Sequence, residues 1–545
     1  MFKLTIENKV YEYTENVTLA DLAIQFNHPD CFVAKVNNRI RELGFYLNFD
    51  ANVEFLDFTS FDAVRVYETS LRFMIIMALK ELYPNNQVTF EQCISRSMSC
   101  HVDGVEIDED FLASLEKKMM EIVEHDYPIK RTRYTKEEGL KLYESLGYFD
   151  KVETLAYRQE NYVNAYECNG YVNYMFGYMV PSTRFLNKFK LRLYYPDFVV
   201  QYPRAEMGGI ILEFEDSPNV SEMIRNARKW SDMIGGFTIA QMNSHINNNT
   251  ISDFVNLCET KHNDMLADLG LRIKSRPDIR LICIAGPSSS GKTTFSNRLR
   301  IELMARGLRT IKISMDDYYL DRDTCPRDEN GELDLEHIDA LDVKLFNKQL
   351  LELIQGKVVD TPTFDFKTGK RASLVNTMHV DKDTIIIIEG IHALNEKMTA
   401  SVPRNKKFKI YISPMTQINI DKHNPISATD VRLLRRIVRD YAYRKTTPEA
   451  TLAMWPSVRR GEFRWIYPNQ ENADYIFNSE LTYELCVLKK YALPQLSSID
   501  HNSEFYIQAN RLAKFLKYFK DIDDRYVPAN SLIREFIGGA SFYDE

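Results

Sequence analysis

The stretch ICIAGPSSSGKTTFSNRL, residues 282–299, constrains the fold of this chain more than any other part of the sequence. Apolar residues precede it as in a buried strand, and residues with helical spacing follow it. Between them, GPSSSGKT fits G-x-x-x-x-G-K-[ST], in which glycines let backbone N–H groups point inward around phosphates. A strand, a phosphate-binding loop and a helix in this order predict a parallel sheet with crossover helices and a nucleotide at the helix N-terminus.

The loop and the first helical turn supply most of the predicted ATP-binding residues. Lys292 is expected to reach the β- and γ-phosphates, and the Thr293 hydroxyl is expected to hold Mg²⁺. ATP and Mg²⁺ are therefore the predicted cofactors. The predicted ATP-binding residues of this segment are Gly286, Pro287, Ser288, Ser289, Ser290, Gly291, Lys292, Thr293 and Thr294.

Two further strands end in carboxylates that are expected to lie near this loop. The segment RTIKISMDDYYLD delivers Asp316 and Asp317 at a strand end, where ligands bind in open α/β sheets. Asp316 could accept a proton from an attacking hydroxyl, or the acidic pair could only cap the following turn. TIIIIEGIHAL reads as a strand buried on both faces and ends in Glu389. Glu389 could hold Mg²⁺ opposite Thr293, or could simply be hydrogen-bonded at the sheet end.

An arginine-rich segment, TDVRLLRRIVRDYAYRK, follows the predicted strand FKIYIS. Arginines near a transferring phosphate stabilise its charge, so this helix is expected to form a lid over ATP. A solvated basic helix face would have the same composition. The arginines of the helix and its exit are Arg432, Arg435, Arg436, Arg439 and Arg444. The predicted catalytic residues are Asp316, Lys292 and Arg439.

Composition and charge narrow the class of protein. The 545 residues suggest about three or four domains, and 44% hydrophobic with 27% charged residues is typical of a globular protein. A formal net charge of -8 argues against a general affinity for nucleic acid. The eight cysteines contain no C-x-x-C pair, which favours reduced thiols over disulfides or a zinc site. No signal peptide and no membrane-spanning run is expected, so a cytoplasmic location is predicted.

Changes in periodicity along the chain predict a multidomain protein of α/β and α+β type. A small mixed fold of strands and one helix is followed by an α+β segment, a helical connector, an alternating strand–helix segment with the loop, and a helical tail. The predicted boundaries are 1–62, 63–202, 203–277, 278–495 and 496–545.

Residues 279 to about 490 resemble the uridine kinase branch of the P-loop kinases, beside phosphoribulokinase. Besides the loop, the motifs that carry the resemblance are SMDDYY, LDLEHIDALD, TPTFDFKTGKR, IIIIEGIHAL and RLLRRIVRD, in the family's order. The resemblance implies a P-loop kinase that phosphorylates the 5′-hydroxyl of a nucleoside, with uridine or cytidine as the expected substrate.

The resemblance also implies roles for individual residues. Asp316 would be the base that activates the 5′-hydroxyl, Tyr319 would line the nucleoside pocket, and Glu336 would replace a ribose-binding aspartate. Arg436 and Arg439 would bind substrate and triphosphate. Arg444 would lie in the lid.

At three positions this chain lacks the residues with which the family recognises the nucleoside base. Phe364, predicted to bind substrate, and Gly369 stand where the family has a tyrosine and a histidine, and Met454 stands where it has a glutamine. A site that loses hydrogen-bonding groups loses discrimination. The acceptor therefore stays open between a nucleoside and another hydroxylated metabolite such as a sugar phosphate. An RNA-binding, nucleotide-dependent regulator is a further alternative.

The front segments resemble threonyl-tRNA synthetases: residues 1–62 their ubiquitin-like TGS module, and residues 63–202 their second domain. Alignment on KELYP and VPST places other residue types where that domain has histidine and cysteine ligands, so its editing and metal chemistry is expected to be lost. The segment is expected to hold subunits of a homo-oligomer together or to bind an RNA or nucleotide ligand. The replaced positions are Thr69, Phe73, Met175 and Met179.

Overall fold

The computed structural model describes residues 1–328, 331–365 and 368–542. Its N-terminal unit is a mixed sheet with one face covered by a helix. The sheet order is β2-β1-β7-β4-β5, with β1 parallel to β7 and antiparallel to β2. Thr18 caps the helix by accepting from the Asp21 N–H. The similarity to a TGS module stays a prediction. The elements are β1 (Phe2–Ile6), β2 (Lys9–Tyr13), β3 (Val17–Thr18), α1 (Leu19–Gln25), β4 (Val33–Val36), β5 (Arg39–Glu42), β6 (Tyr46–Leu47) and β7 (Ala51–Leu56).

The next segment builds a sheet of order β13-β14-β9-β8 and a smaller one of order β10-β11-β12. Two long helices, α2 and α3, pack into one apolar core with the larger sheet. Among the described residues, no helix is both long and apolar enough to cross a membrane. The elements are α2 (Phe61–Leu82), β8 (Val88–Ile94), β9 (Ser97–Val102), α3 (Glu109–Glu124), β10 (Lys130–Thr135), α4 (Lys136–Ser145), α5 (Phe149–Ala156), β11 (Tyr162–Cys168), β12 (Tyr171–Asn173), β13 (Lys190–Tyr194) and β14 (Asp197–Gln201).

The predicted connector is helical, as its composition indicates, and its last helix leads into a parallel sheet. The connector helices are α6 (Pro218–Met233), α7 (Ile239–Asn247) and α8 (Ile251–Lys274). The first part of the following unit contains β15 (Leu281–Ala285), α9 (Lys292–Ala305), β16 (Arg309–Ser314), α10 (Val343–Ile354), β17 (Val359–Thr361), β18 (Phe364–Asp365), β19 (Lys370–Arg371), β20 (Asn376–Met378) and β21 (Thr384–Glu389). Its second part contains β22 (Lys407–Ser413), β23 (Asn419–Asp421), β24 (Asn424–Pro425), α11 (Ala428–Arg444), α12 (Pro448–Gly461), β25 (Tyr475–Asn478) and α13 (Glu484–Ser497).

The sheet of this unit is parallel, in the order β16-β21-β15-β22-β25. Alternate residues of β15 point to opposite faces, so Ile282 and Ile284 enter one apolar core while Leu281 and Cys283 enter another. Helices therefore cover both faces, as expected for a P-loop kinase fold.

The tail is only partly helical. It contains α14 (Tyr506–Leu516) and the short α15 (Arg534–Ile537), joined by irregular chain, and α13 crosses the predicted boundary at residue 495. The last three residues of the predicted tail lie outside the described part of the chain. The bounds of the five predicted domains stay predictions.

The front half packs against the parallel-sheet unit through the β23–β24 hairpin. The Lys151 ammonium lies 2.7 Å from an Asp421 carboxylate oxygen, and both side chains are buried. Beside this pair, the Thr154 hydroxyl donates to the carbonyl of Ile420 at 3.0 Å. The interface therefore contains an ion pair that is shielded from water.

Candidate active site

The loop between β15 and α9 has the backbone that its glycines require. A Cβ atom on Gly286 would collide with the carbonyl oxygen of Ile412 on β22. Gly291 has a φ of 88°, in the left-handed region that favours glycine. The Lys292 ammonium folds over this loop and donates to the carbonyls of Gly286 at 3.0 Å and Pro287 at 3.2 Å. The loop, its lysine and the N-terminus of α9 together form a cradle for an anion.

Sheet register brings the two predicted carboxylates together. Glu389 at the end of β21 pairs with Ser314 at the end of β16, and Asp316 follows two residues later. The Ser314 hydroxyl accepts from the Asp316 N–H at 3.3 Å and so caps this turn, which leaves the Asp316 carboxylate available to the site.

The charges of these groups are coupled. Burial raises the pKa of Asp316, while the cations Lys292, Arg444 and Arg439 oppose that shift. Burial and the neighbouring Asp316 raise the pKa of Glu389 to about 7. Burial lowers the pKa of Lys292, against the attraction of the two carboxylates. Two acids and a lysine thus interact electrostatically beside the phosphate-binding loop.

Helix α11 is tied to the loop by its arginines. Arg432 Nε donates to the Ser288 carbonyl at 3.0 Å, and Arg436 Nη1 donates to the Ser288 hydroxyl at 2.8 Å. Arg432 also pairs with Glu462, and Arg435 Nε donates to Glu484 at 2.8 Å. Arg432 and Arg435 are buried, so the alternative of a solvated basic face does not apply to them.

Asp440 pairs with the three arginines that are predicted to bind substrate and triphosphate or to lie in the lid. Its carboxylate lies 2.8 Å from Arg439 Nη2, 3.2 Å from Arg436 Nε and 3.6 Å from Arg444 Nη1. The Arg439 charge and burial lower the pKa of Arg444 to about 10. Sequence reasoning missed Asp440, although its spacing of four residues from both Arg436 and Arg444 places all three on one helix face.

Two of the predicted substrate-binding residues, Tyr319 and Phe364, form an aromatic pair close to Asp316. The rings of Tyr319 and Phe364 are 5.6 Å apart between centroids, and the Tyr319 hydroxyl donates to the Leu335 carbonyl at 3.1 Å. Burial raises the pKa of the neighbouring Glu336 to about 7. Within the described chain, Glu336 Oε2 is buried without a hydrogen-bond partner. A ring pair beside a carboxylate can hold a flat, hydroxylated ligand.

The other two departures from the family pattern lie between β18 and β19 and on α12. Gly369 has a φ of 68°, and the Arg322 side chain packs directly against it. Met454 lies on α12 with 41% of its surface exposed, so it is a surface residue here.

Comparison with known proteins identifies the family of this site. The phosphoribulokinase / uridine kinase family pattern matches residues 281–485. A uridine kinase of Borrelia hermsii is 31% identical over 199 residues, which cover 36% of this chain and 85% of that protein. A uridine kinase of Staphylococcus aureus is 31% identical over 197 residues, covering 36% and 86%. The chain belongs to the phosphoribulokinase/uridine kinase family.

Two solved structures are also similar to this family member. A structure described as a possible uridine kinase from Bacillus stearothermophilus covers 40% of this chain and 98% of its own, with 18% identity and a TM-score of 0.29. A D-glycerate 3-kinase from Cryptococcus neoformans covers 49% and 87%, with 14% identity and a TM-score of 0.20.

Family membership confirms the prediction of a P-loop phosphotransferase that uses ATP. The match covers residues 281–485, in the unit with the parallel sheet that is here named the kinase unit. The resemblance of residues 1–202 to threonyl-tRNA synthetases therefore stays a prediction. In that front half, Thr69 and Phe73 lie on α2, and Phe73, Met175 and Met179 are buried in one apolar core.

The tail contributes a residue that sequence reasoning also missed. The Thr294 N–H at the start of α9 donates to Glu535 Oε2 at 2.9 Å. These residues are 241 positions apart, and no local pattern in NSLIREFIGG signals the contact.

Proposed function

We propose that the protein transfers the γ-phosphoryl group of ATP to the 5′-hydroxyl of a nucleoside, giving a nucleoside monophosphate and ADP. The observation that carries this proposal is the meeting of Asp316 and Glu389 with Lys292 beside the phosphate loop. Uridine or cytidine is the expected acceptor, because the matching relatives are named uridine kinases.

In this mechanism Asp316 accepts the proton of the 5′-hydroxyl as the oxygen attacks the γ-phosphorus. Lys292 and Arg439 stabilise the negative charge of the transferring group. Asp440 positions Arg439, and Arg444 lies at the exit of the same helix. ATP-binding roles are proposed for the loop residues from Gly286 to Thr294.

Mg²⁺ fits the oxygen donors beside the loop. The Thr293 hydroxyl and the buried Glu389 carboxylate are hard ligands of the type that this ion prefers. When bound, Mg²⁺ neutralises charge on the β- and γ-phosphates. Thr293 and Glu389 are the residues that would hold it.

The nucleoside is proposed to lie between the ring pair and Glu336. Tyr319 and Phe364 offer aromatic faces to a base, and Glu336 offers an acceptor to ribose hydroxyls. Arg436 lies close enough to Glu336 to oppose the rise of its pKa. Because the Phe364 side chain has no hydrogen-bonding group, weak discrimination among bases is expected.

Nucleoside binding should depend on the ionisation of Glu336. With a pKa raised to about 7, this carboxyl is protonated below that pH and becomes a charged acceptor only above it. Lowering the pH from about 8 to about 6 should therefore raise the KM for nucleoside about tenfold. The KM of Glu336→Gln should be less pH-dependent, and parallel profiles for the two proteins would contradict this role. The charged groups around Glu336 are Arg436, Lys292, Asp316 and Asp334.

An acceptor panel tests the proposed function. The full chain is incubated with γ-labelled ATP and Mg²⁺ in the presence of uridine, cytidine, adenosine, guanosine or ribulose 5-phosphate. A labelled nucleoside monophosphate is the expected product. Label in the sugar phosphate alone would favour the alternative acceptor. ATP hydrolysis without any labelled acceptor, stimulated by added RNA, would overturn the kinase proposal and favour a regulator.

A further inference from the structure

Residues 527–539, here named the docked tail, pack onto the phosphate loop. Leu532, Ile533 and Phe536 are fully buried. The Leu532 side chain lies so close to Gly291 that a Cβ atom there would collide with it. The Phe536 ring lies 5.1 Å from the Arg435 guanidinium of α11. The docked tail is therefore in contact with both the loop and the arginine helix.

The docked tail places a carboxylate where an ATP phosphate oxygen is expected. The first N–H groups of a helix have no acceptor within the helix and are offered to bound phosphates in such loops. Thr294 is one of these residues in α9, and its N–H donates to Glu535 Oε2 at 2.9 Å. The charge of Glu535 also raises the pKa of Lys292 and of Glu389, so Glu535 lies close enough to the proposed ATP site to interact with its charges.

The fold of the docked tail fixes the position of Glu535. Arg534 Nη2 donates to the carbonyls of Asp524 at 2.8 Å and Val527 at 2.7 Å. The Ser531 hydroxyl donates to Glu259 of α8 at 2.5 Å. These bonds hold the part of the docked tail that precedes Glu535.

We propose that the docked tail is an autoinhibitory contact, in which the Glu535 carboxylate takes the place of an ATP phosphate oxygen on the loop. The inference rests on the ATP site of the proposed function. A phosphate and a carboxylate are both anionic acceptors, and they cannot use the Thr294 N–H at the same time. ATP therefore binds when the docked tail moves away, and its apparent affinity is reduced by the fraction of molecules in which the tail is docked.

Equilibrium binding of ATP to the full chain, measured by titration calorimetry, tests the inference. Glu535→Gln keeps the size of the side chain but removes its charge, so ATP should bind about tenfold more tightly than to the wild type. Glu504→Gln changes an exposed glutamate before α14 and should leave the affinity unchanged. An unchanged or weaker affinity of Glu535→Gln would overturn the inference.

Hydrogen exchange of the wild-type chain gives a second readout that needs no variant. ATP should increase exchange of the amides in residues 530–539, and unchanged or slower exchange there would overturn the inference. Neither measurement requires phosphoryl transfer. ATP binding that Glu535→Gln strengthens, without phosphorylation of any acceptor, would contradict the proposed function and support the autoinhibitory contact.

Discussion

Replacing Asp316 with asparagine should lower kcat for nucleoside phosphorylation by about 10²- to 10⁴-fold, the usual contribution of a positioned general base. The amide cannot accept the 5′-hydroxyl proton, although it occupies the same place at the end of β16. ATP affinity should be kept, because the loop and Lys292 are unchanged and one negative charge near the phosphates is lost. The measurements are steady-state kinetics with labelled ATP and calorimetric titration with ATP.

Asp317→Asn is the matched control. Asp317 adjoins Asp316 in the same turn, and its carboxylate accepts from the Phe364 N–H at 3.4 Å. Loss of the Asp317 carboxylate should change kcat much less, by about threefold or less, since a weak hydrogen bond of this kind contributes little. Equal losses in the two variants would show that the turn as a whole, and not the Asp316 carboxylate, is needed.

Replacing Asp421 with alanine should destabilise the contact between the front half and the kinase unit by about 3–5 kcal/mol, because Lys151 would remain buried without a counter-charge. Lys151 and Asp421 have side-chain exposures of 1% and 0%. Asp421 also accepts from the His423 N–H at 2.9 Å and the Asn424 side chain at 2.8 Å. The thermal melting temperature and the urea midpoint of the full chain are the measurements.

Two further variants separate the effect of the unpaired buried charge from the effect of losing any ion pair. The double variant Lys151→Met with Asp421→Leu should recover much of the loss, since no unpaired charge is left inside. Lys141→Ala removes the exposed pair with Glu137 at 2.9 Å and should change stability by less than about 1 kcal/mol. If Asp421→Ala lowers the stability of the full chain as little as Lys141→Ala does, the importance of the buried pair is contradicted.

Local patterns predicted the central elements of the kinase unit because each is encoded over a few residues. The loop needs glycine at Gly286 and Gly291 for steric reasons, and β21 needs apolar residues on both faces. Parallel strands end at one edge of a sheet, so the sequence alone predicts that Asp316 and Glu389 lie close together. The roles of the site residues stay proposals.

The bounds and contacts of the tail could not be predicted in the same way. Its helical composition predicted a helical segment, but α15 is a single short turn between irregular stretches. Apolar residues such as Leu532 and Phe536 indicate burial without indicating the surface that buries them.

By itself, the sequence determined the phosphate loop, the strand–helix alternation around it and the carboxylates at strand ends, because these depend on backbone freedom and on periodicities of a few residues. Only the tertiary structure decided that Glu535 reaches the Thr294 N–H and that Lys151 pairs with Asp421, across 241 and 270 positions. Such contacts depend on how whole elements pack against one another. The residues next to a glutamate or an aspartate do not show whether its carboxylate faces solvent or a functional site.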